Sequence, residues 1–323
     1  MVEIGVYFDL RNPEPWRRPL PRVYGFALEM CEEAERAGIG SAWFTEHHLF
    51  DDGYLTQPLT FAAAAAARTR RIRIGTAITI APFRSAVHIA EEATVVDLVS
   101  DGRLELGLGS GYRILEFGLF DADLSRRFDV TDERVRQIQQ LIGSGVLTPA
   151  PVRGQIPLWL GYGGPQGARR AGRLGVGLLS PSADLVAPYL AGLAEGGFDS
   201  SRARMGGAIG AFVTDNPDAD WPVVARHLEY QGDSYYRHMV EGTGQPRPRP
   251  VDAERRRARG LGAAMGSFML ATVADAADQL RGYAAGTPVQ VFLIYASLAG
   301  MSEQMTAQHV ASLGRLSRLL AAS

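Results

Sequence analysis

Short apolar runs alternate with longer amphipathic stretches along this chain. Val2 to Phe8 reads as a strand. From Val23 to Ala37 the apolar positions Phe26, Ala27, Met30, Cys31, Ala34 and Ala37 keep a helical period, which stops at Gly38. The alternation continues with a strand over Ser41 to Thr45, a helix over Pro58 to Arg68, a strand over Ile72 to Ile80 and a helix over Val87 to Val99. Leu104 to Leu108, Pro157 to Leu160 and Gly175 to Leu179 follow as strands, with helices over Thr131 to Ile142, over Ala168 to Leu174 and from about Asp184. Ala208 to Thr214 and Val289 to Tyr295 add two more strands, with helices from Val223, Ala274 and Ser302. Strands and helices in strict alternation predict an α/β fold, a (β/α)8 TIM barrel, whose usual size is about 250 residues before insertions. A doubly wound open sheet is the competitor, but it seldom holds that many units in one domain. Residues 1–323 therefore read as a single barrel domain with insertions near 143–156 and 242–268. The second carries Arg247-Pro-Arg-Pro250 and Arg255-Arg256-Arg257, and reads as either a mobile lid or a solvated loop.

Composition removes several classes of function. The net charge of −2 offers no electrostatic case for a nucleic-acid or anionic-membrane partner. Cys31 is the one cysteine, so an intrachain disulfide and a multi-cysteine zinc site are excluded. All 33 basic residues are arginine. Without lysine there is no Schiff base and no P-loop, and an anion must be held by arginine, backbone N–H groups or helix N-termini. The N-terminus carries no basic, then apolar, targeting pattern, and no apolar run reaches membrane-spanning length. A cytoplasmic protein is expected.

Two features could carry chemistry. Glu46-His47-His48 follows the second strand, where a barrel places its catalytic rim. Adjacent strand residues alternate faces, so the three cannot share one metal, and none is expected. As acid–base groups they are good candidates, against the plain alternative of hydrogen-bonded rim histidines. The second feature is a pair of glycine-rich turns, Gly107-Leu-Gly109-Ser-Gly111 and Gly161-Tyr-Gly163-Gly164-Pro-Gln-Gly167, each after a predicted strand. Ordinary turn chemistry explains most such glycines. Two at neighbouring strand ends, in a chain without lysine, favour one bound phosphate ester. Neither turn fits the dinucleotide fingerprint.

The chain resembles the bacterial luciferase-like flavin monooxygenases. The residues that carry the resemblance are Ser41-Ala-Trp-Phe-Thr-Glu-His-His-Leu49, Ile72-Arg-Ile-Gly-Thr-Ala-Ile78, Leu98-Val-Ser-Asp-Gly-Arg103, Leu106-Gly-Leu-Gly-Ser-Gly-Tyr112, Glu116-Phe117, Arg127 and Pro157-Leu-Trp-Leu-Gly161. The match is good over residues 1–180, thins through 200–270 and returns weakly at Thr287 to Tyr295. It implies a barrel that binds reduced FMN at its C-terminal rim and activates O2 as a flavin C4a-(hydro)peroxide. By the same resemblance His47 matches the catalytic histidine and His48 its neighbour, beside Glu46. Ala77-Ile78 matches a non-prolyl cis peptide under the flavin. Ser110, Gly111, Tyr112 and Arg113 match one phosphate and ribityl loop, and Gly163, Gly164 and Gly167 the second. Luciferase itself has arginine where this chain has Ser110, which leaves Arg113 or backbone donors to hold the phosphate.

The function implied is oxidation of a small organic substrate by FMNH2 and O2, with a separate flavin reductase and the 242–268 insertion as a gate against water. A barrel of the same type using deazaflavin F420 for hydride transfer, and a non-catalytic flavin-binding protein, are the alternatives. A homodimer through the helices at 58–69 and 86–100 is expected, because Ala62 to Ala67 permits close approach and the family commonly pairs there.

Overall fold

The computed structural model describes residues 2–262 and 264–322. Its strands are β1 (Glu3–Phe8), β2 (Ser41–Phe44), β3 (Arg73–Thr76), β4 (Thr79–Ile80), β5 (Leu104–Gly109), β6 (Leu158–Leu160), β7 (Gly177–Leu178), β8 (Met205–Ala208), β9 (Ala211–Val213), β10 (Met269–Ala271) and β11 (Val289–Tyr295). The helices are α1 (Leu20–Ala37), α2 (Pro58–Arg68), α3 (Ala86–Ser100), α4 (Ile114–Leu119), α5 (Arg127–Gly143), α6 (Gly164–Arg173), α7 (Val186–Glu195), α8 (Pro217–Val240), α9 (Ala253–Ala258), α10 (Val273–Ala284) and α11 (Glu303–Ala321).

The main sheet runs β3-β2-β1-β11-β8-β7-β6-β5-β4, every pair parallel, and β3 also pairs with β5. That last pairing closes the sheet into an eight-strand (β/α)8 barrel. β3 and β4 are two halves of one barrel strand: β3 lies against β2, while Thr79 and Ile80 pair with Leu108 and Gly109 of β5. The strand expected over Ile72 to Ile80 is thus interrupted at Ala77-Ile78, which are joined by a cis peptide bond.

Below the rim the barrel is filled. Trp43 and Trp159 meet edge to face at 6.2 Å, packed with Val291 and Leu293. Gly75 and Gly177, on the neighbouring strands, leave the room these indoles occupy. Each indole N–H is satisfied, Trp43 by Ser41 Oγ at 2.8 Å and Trp159 by Glu105 at 2.6 Å. A second apolar layer lies between barrel and helices, where Ile4, Ile74, Leu104 and Leu106 face Ala62, Ala65, Ala90 and Ala93. Alanine on α2 and α3 lets these two helices sit close to the sheet and to each other.

The expected strand over Ala208 to Thr214 is two strands. β8 stays in the barrel, while β9 leaves it and pairs in parallel with β10 in a separate ribbon. Two glycines favour the parting: Gly207 has φ +148°, and a Cβ on Gly210 would run into the Ser267 carbonyl. Between β9 and β10 the chain forms α8 and α9, so the excursion is longer than residues 242–268. Ala263, inside that span, lies outside the described residues. Residues 144–156 form an irregular loop pinned to α3 by the Val152 N–H, which donates to Asp97 at 2.8 Å. No helix among the described residues is long and apolar enough to cross a membrane.

Candidate active site

A cavity of about 600 Å3 opens at the C-terminal ends of the barrel strands, the end where this architecture places its chemistry. β2 stops at Phe44, and the following backbone is held by Thr45 N–H to the Phe8 carbonyl and His47 N–H to the Leu55 carbonyl, both 3.1 Å. His47 lines the cavity and His48 does not. The two imidazoles therefore diverge, as their adjacency requires.

His47 Nδ1 lies 2.9 Å from Glu116 Oε1, and Tyr112 Oη lies 3.3 Å from His47 Nε2. Glu116 is fully buried, and its Oε1 also accepts the His48 N–H at 2.8 Å and Arg113 Nη1 at 3.0 Å. Burial pushes the His47 pKa down, more strongly than the Glu116 carboxylate pushes it up. For Glu116, burial favours the neutral acid, but the bonds from His47 and the His48 N–H, with the charge of Arg113, bring its pKa below the usual value. At neutral pH the pair is a carboxylate and a neutral imidazole. Nδ1–H then donates to Glu116, and Nε2 is left as the acceptor facing Tyr112.

Glu46 and His48 form a different unit. Glu46 Oε1 accepts His48 Nε2 at 2.9 Å and Arg84 Nη1 at 2.7 Å, and Oε2 accepts the Ile80 N–H at 2.9 Å. The His48 ring lies against Phe120 and Phe83. Glu46 borders the cavity, but both its oxygens are taken. The catalytic expectation for Glu46 and His48 is corrected: they hold β4 and the Arg84 turn in place behind His47.

Ala77, Ile78, Ser110, Gly111, Tyr112 and Gly163 all line the cavity. Ile78 sits between two glycines, and a Cβ on Gly109 or Gly161 would lie 2.6 Å from its side chain. Arg113 is corrected. Its guanidinium is buried, bonded to the His238 carbonyl at 3.0 Å, Glu116 at 3.0 Å, Glu241 at 2.8 Å and the His48 carbonyl. Arg113 clamps α8 to the His48 loop and has no donor aimed at the cavity. Arg127 lines the cavity near Gly161 and Gly163 and is the cation there. Gly164 and Gly167 also differ from expectation. Gly164 takes φ +70° as the first residue of α6, and Gly167 lies against Tyr162, whose Cβ would be 2.7 Å from an added Cβ. Neither lines the cavity; they shape the turn that does. The first turn of α6 has no side-chain cap and carries Pro165, which leaves the N–H groups of its other residues to face an anion.

The family model described as luciferase-like monooxygenase matches residues 4–293. The chain belongs to that family. The flavin-dependent trigonelline monooxygenase, oxygenase component, of Acinetobacter baylyi is 32% identical over 96 residues, covering 30% of this chain and 27% of that protein. The F420-dependent glucose-6-phosphate dehydrogenase of Amycolatopsis mediterranei is 29% identical over 175 residues, covering 48% of this chain and 53% of the relative. The chain thus spans from a quarter to about half the length of these curated relatives. The monooxygenase RslO1 from Streptomyces bottropensis superimposes with a TM-score of 0.80 at 20% identity, covering 100% of both chains, a likeness of fold.

In this luciferase-like chain, several residues in and behind the cavity had no role assigned from sequence. Glu116 lies 69 positions from His47 and becomes its partner only through the barrel closure. Tyr7 and Tyr295 stand at the C-terminal ends of β1 and β11, a position that would have marked them. Tyr235 and Met239 come from α8, and Met265 from the loop before β10. No local pattern points these three at a cavity.

Proposed function

We propose that this chain is the oxygenase of a two-component, FMNH2-dependent monooxygenase acting with O2 on a small organic substrate. The observation that carries the reading is His47, held by buried Glu116 with Nε2 turned to Tyr112 in a cavity whose other end is a glycine cradle beside Arg127. The cradle fits a phosphate-bearing flavin. An added Cβ at Gly163 would meet nothing within 4 Å, so backbone lies open to a ligand there, and Arg127 supplies the charge. Ser110 and Gly111 would complete that end, and Ala77 and Ile78 would support the ring system. When bound, reduced flavin supplies the electrons that activate dioxygen.

The protein's own part is to position, to exclude water and to move a proton. His47 Nε2 accepts from Tyr112 at rest and can pass a proton to or from a group in the cavity, with Glu116 stabilising the imidazolium that forms. Tyr54 and Phe50 pack against the His47 ring and shield it.

Reduced flavin would come from a separate reductase, in line with the relative named as an oxygenase component. The same reading takes the protein to be cytoplasmic, with residues 242–268 as the gate, and dimeric through α2 and α3. Val87, Val95, Leu98 and Val99 of α3 are exposed, which supports that face as the interface. The F420-dependent relative keeps hydride transfer as the second reading. Substrate-dependent oxygen uptake with FMNH2, set against oxygen-independent oxidation of F420H2, separates them. Uptake driven by FMNH2 is expected. Turnover with F420H2 alone would replace the proposal, and flavin binding without turnover would reduce the protein to a carrier.

A further inference from the structure

The end of the cavity away from the glycine cradle is built from tyrosine. Tyr54 and Tyr235 hydroxyls lie 2.5 Å apart, and Tyr235 and Tyr295 hydroxyls 3.1 Å apart. Tyr7 packs against Tyr295 with ring centroids 4.7 Å apart and the rings tilted by 50°, and its own proton is committed to the Ala77 carbonyl. Met239 and Met265, both partly exposed, complete this end near the mouth.

Counting protons shows what the wall offers. Tyr54, Tyr235 and Tyr295 carry three hydroxyl protons and make two bonds among themselves, so the third lies at one end of the chain, beside Thr45 or Tyr7, whose own protons go to carbonyls, until a ligand takes it. The chain can run in either direction. It can donate one hydrogen bond to a carbonyl or phenol oxygen, or turn round and accept one. The faces around it are aromatic or thioether, surfaces that take a flat ring well.

Behind the wall one cation, Arg11, stands against two buried carboxylates, Asp52 and Asp9. Arg11 lies 5.1 Å from the Tyr235 ring centroid and 5.7 Å from that of Tyr54, but its guanidinium is buried and paired with Asp52 at 2.6 Å. Asp9, buried beside it, has an oxygen with no hydrogen-bond partner. Burial, together with the Asp9 charge, raises the pKa of Tyr7, Tyr54, Tyr235 and Tyr295 above the ordinary value. What disfavours a phenolate here disfavours any anion placed beside it.

We infer that the Tyr54–Tyr235–Tyr295 end of the cavity is a substrate subsite for an uncharged aromatic molecule bearing one hydroxyl or carbonyl oxygen, and that it rejects carboxylates and phosphate esters of similar size. This rests on the cavity being the active site of the proposed oxygenase and names the class of substrate that site takes.

The test is equilibrium binding to the flavin-free protein near pH 7, by calorimetry, with 2-naphthol, naphthalene and 2-naphthoate as matched probes. 2-Naphthol should bind about fivefold more tightly than naphthalene and at least tenfold more tightly than 2-naphthoate. Replacing Tyr54, Tyr235 and Tyr295 together by Phe removes every hydroxyl of the chain, and should erase the preference for naphthol over naphthalene while binding naphthalene as before. Tyr295→Phe, checked by thermal melting, serves if the first variant does not fold, and should reduce the same preference. Naphthoate binding as tightly as naphthol, no probe binding, or a preference that survives in both variants would each overturn the subsite. FMN affinity, measured in parallel, keeps the two readings apart. A naphthol preference without FMN binding leaves the subsite and removes the flavin reading, and the converse does the opposite.

Discussion

Glu116→Gln isolates the carboxylate from the shape of its side chain. Glu116 Oε1 accepts three hydrogen bonds, from His47 Nδ1, the His48 N–H and Arg113, and the residue is completely buried. Glutamine keeps one acceptor oxygen but removes the charge, and Arg113 retains Glu241 and two carbonyls. The folding cost should therefore be about 1–3 kcal/mol, below the 3–5 expected when a buried charge loses its sole partner. The larger effect falls on His47. Its pKa lies below the ordinary value because burial outweighs the hydrogen bond and charge of Glu116, while Arg113 and Arg11 add to the depression. The charge-assisted bond from Glu116 favours the imidazolium, so removing it should lower the His47 pKa further. The sign for stability follows. A histidine depressed in the folded state contributes stability that is present above about pH 6.5 and is lost as pH falls through the folded pKa, so the variant should be the more acid-sensitive protein. NMR titration of the His47 ring in flavin-free protein reads the shift directly. The nitrogen shifts also show whether the tautomer reverses, since the Gln amide can donate to Nδ1. A His47 titration that stays in place or moves upward would refute the assignment of Glu116 as its partner.

His47→Ala should lower product formation by roughly 10²–10⁴-fold with FMN affinity nearly unchanged, and oxygen uptake should fall less, the difference appearing as hydrogen peroxide; unchanged turnover would make the histidine structural. Gly161→Ala should cost about 1–3 kcal/mol and weaken FMN binding, because its Cβ would lie 2.6 Å from Ile78; Ile78→Ala in the same chain should restore much of the melting temperature, and no rescue would remove the steric account. Burial, opposed by Arg11 and reinforced by Asp52, raises the Asp9 pKa from 3.8 to about 7. Its contribution is then present below about pH 3.8 and lost between there and pH 7, so Asp9→Asn should gain on the wild type across that range by roughly 4 kcal/mol; a melting-temperature difference that does not change with pH would contradict this. Val95→Glu on the exposed face of α3 should turn a dimer into a monomer by light scattering; a wild-type chain already monomeric at micromolar concentration would end the proposal.

Local signals determined much of this protein from the sequence alone. Helical periods placed α2 and α3 within a residue or so of their observed bounds, because each buries one stripe and ends at a polar or left-handed residue such as Asp101. Strands buried on both faces, such as β6, stood out as continuous apolar runs. His47 and the glycine turns were legible because strand ends in a barrel face one rim. What periodicity could not show is where a chain leaves its sheet. The break at Ala77-Ile78 and the parting of β8 from β9 both occur inside apolar stretches that look uniform in sequence. Side-chain partners were beyond reach for a related reason. Arg113 and Arg127 are both arginines close to the same loop. Only the packing of α8 shows that the first is sealed among carbonyls and carboxylates while the second is left to the cavity. Glu116, given no role from its position, partners His47, while Glu46 bonds His48 and Arg84. A carboxylate's function depends on which groups the closed barrel sets within about 3 Å of it, and contacts between residues dozens of positions apart exist only in the folded chain.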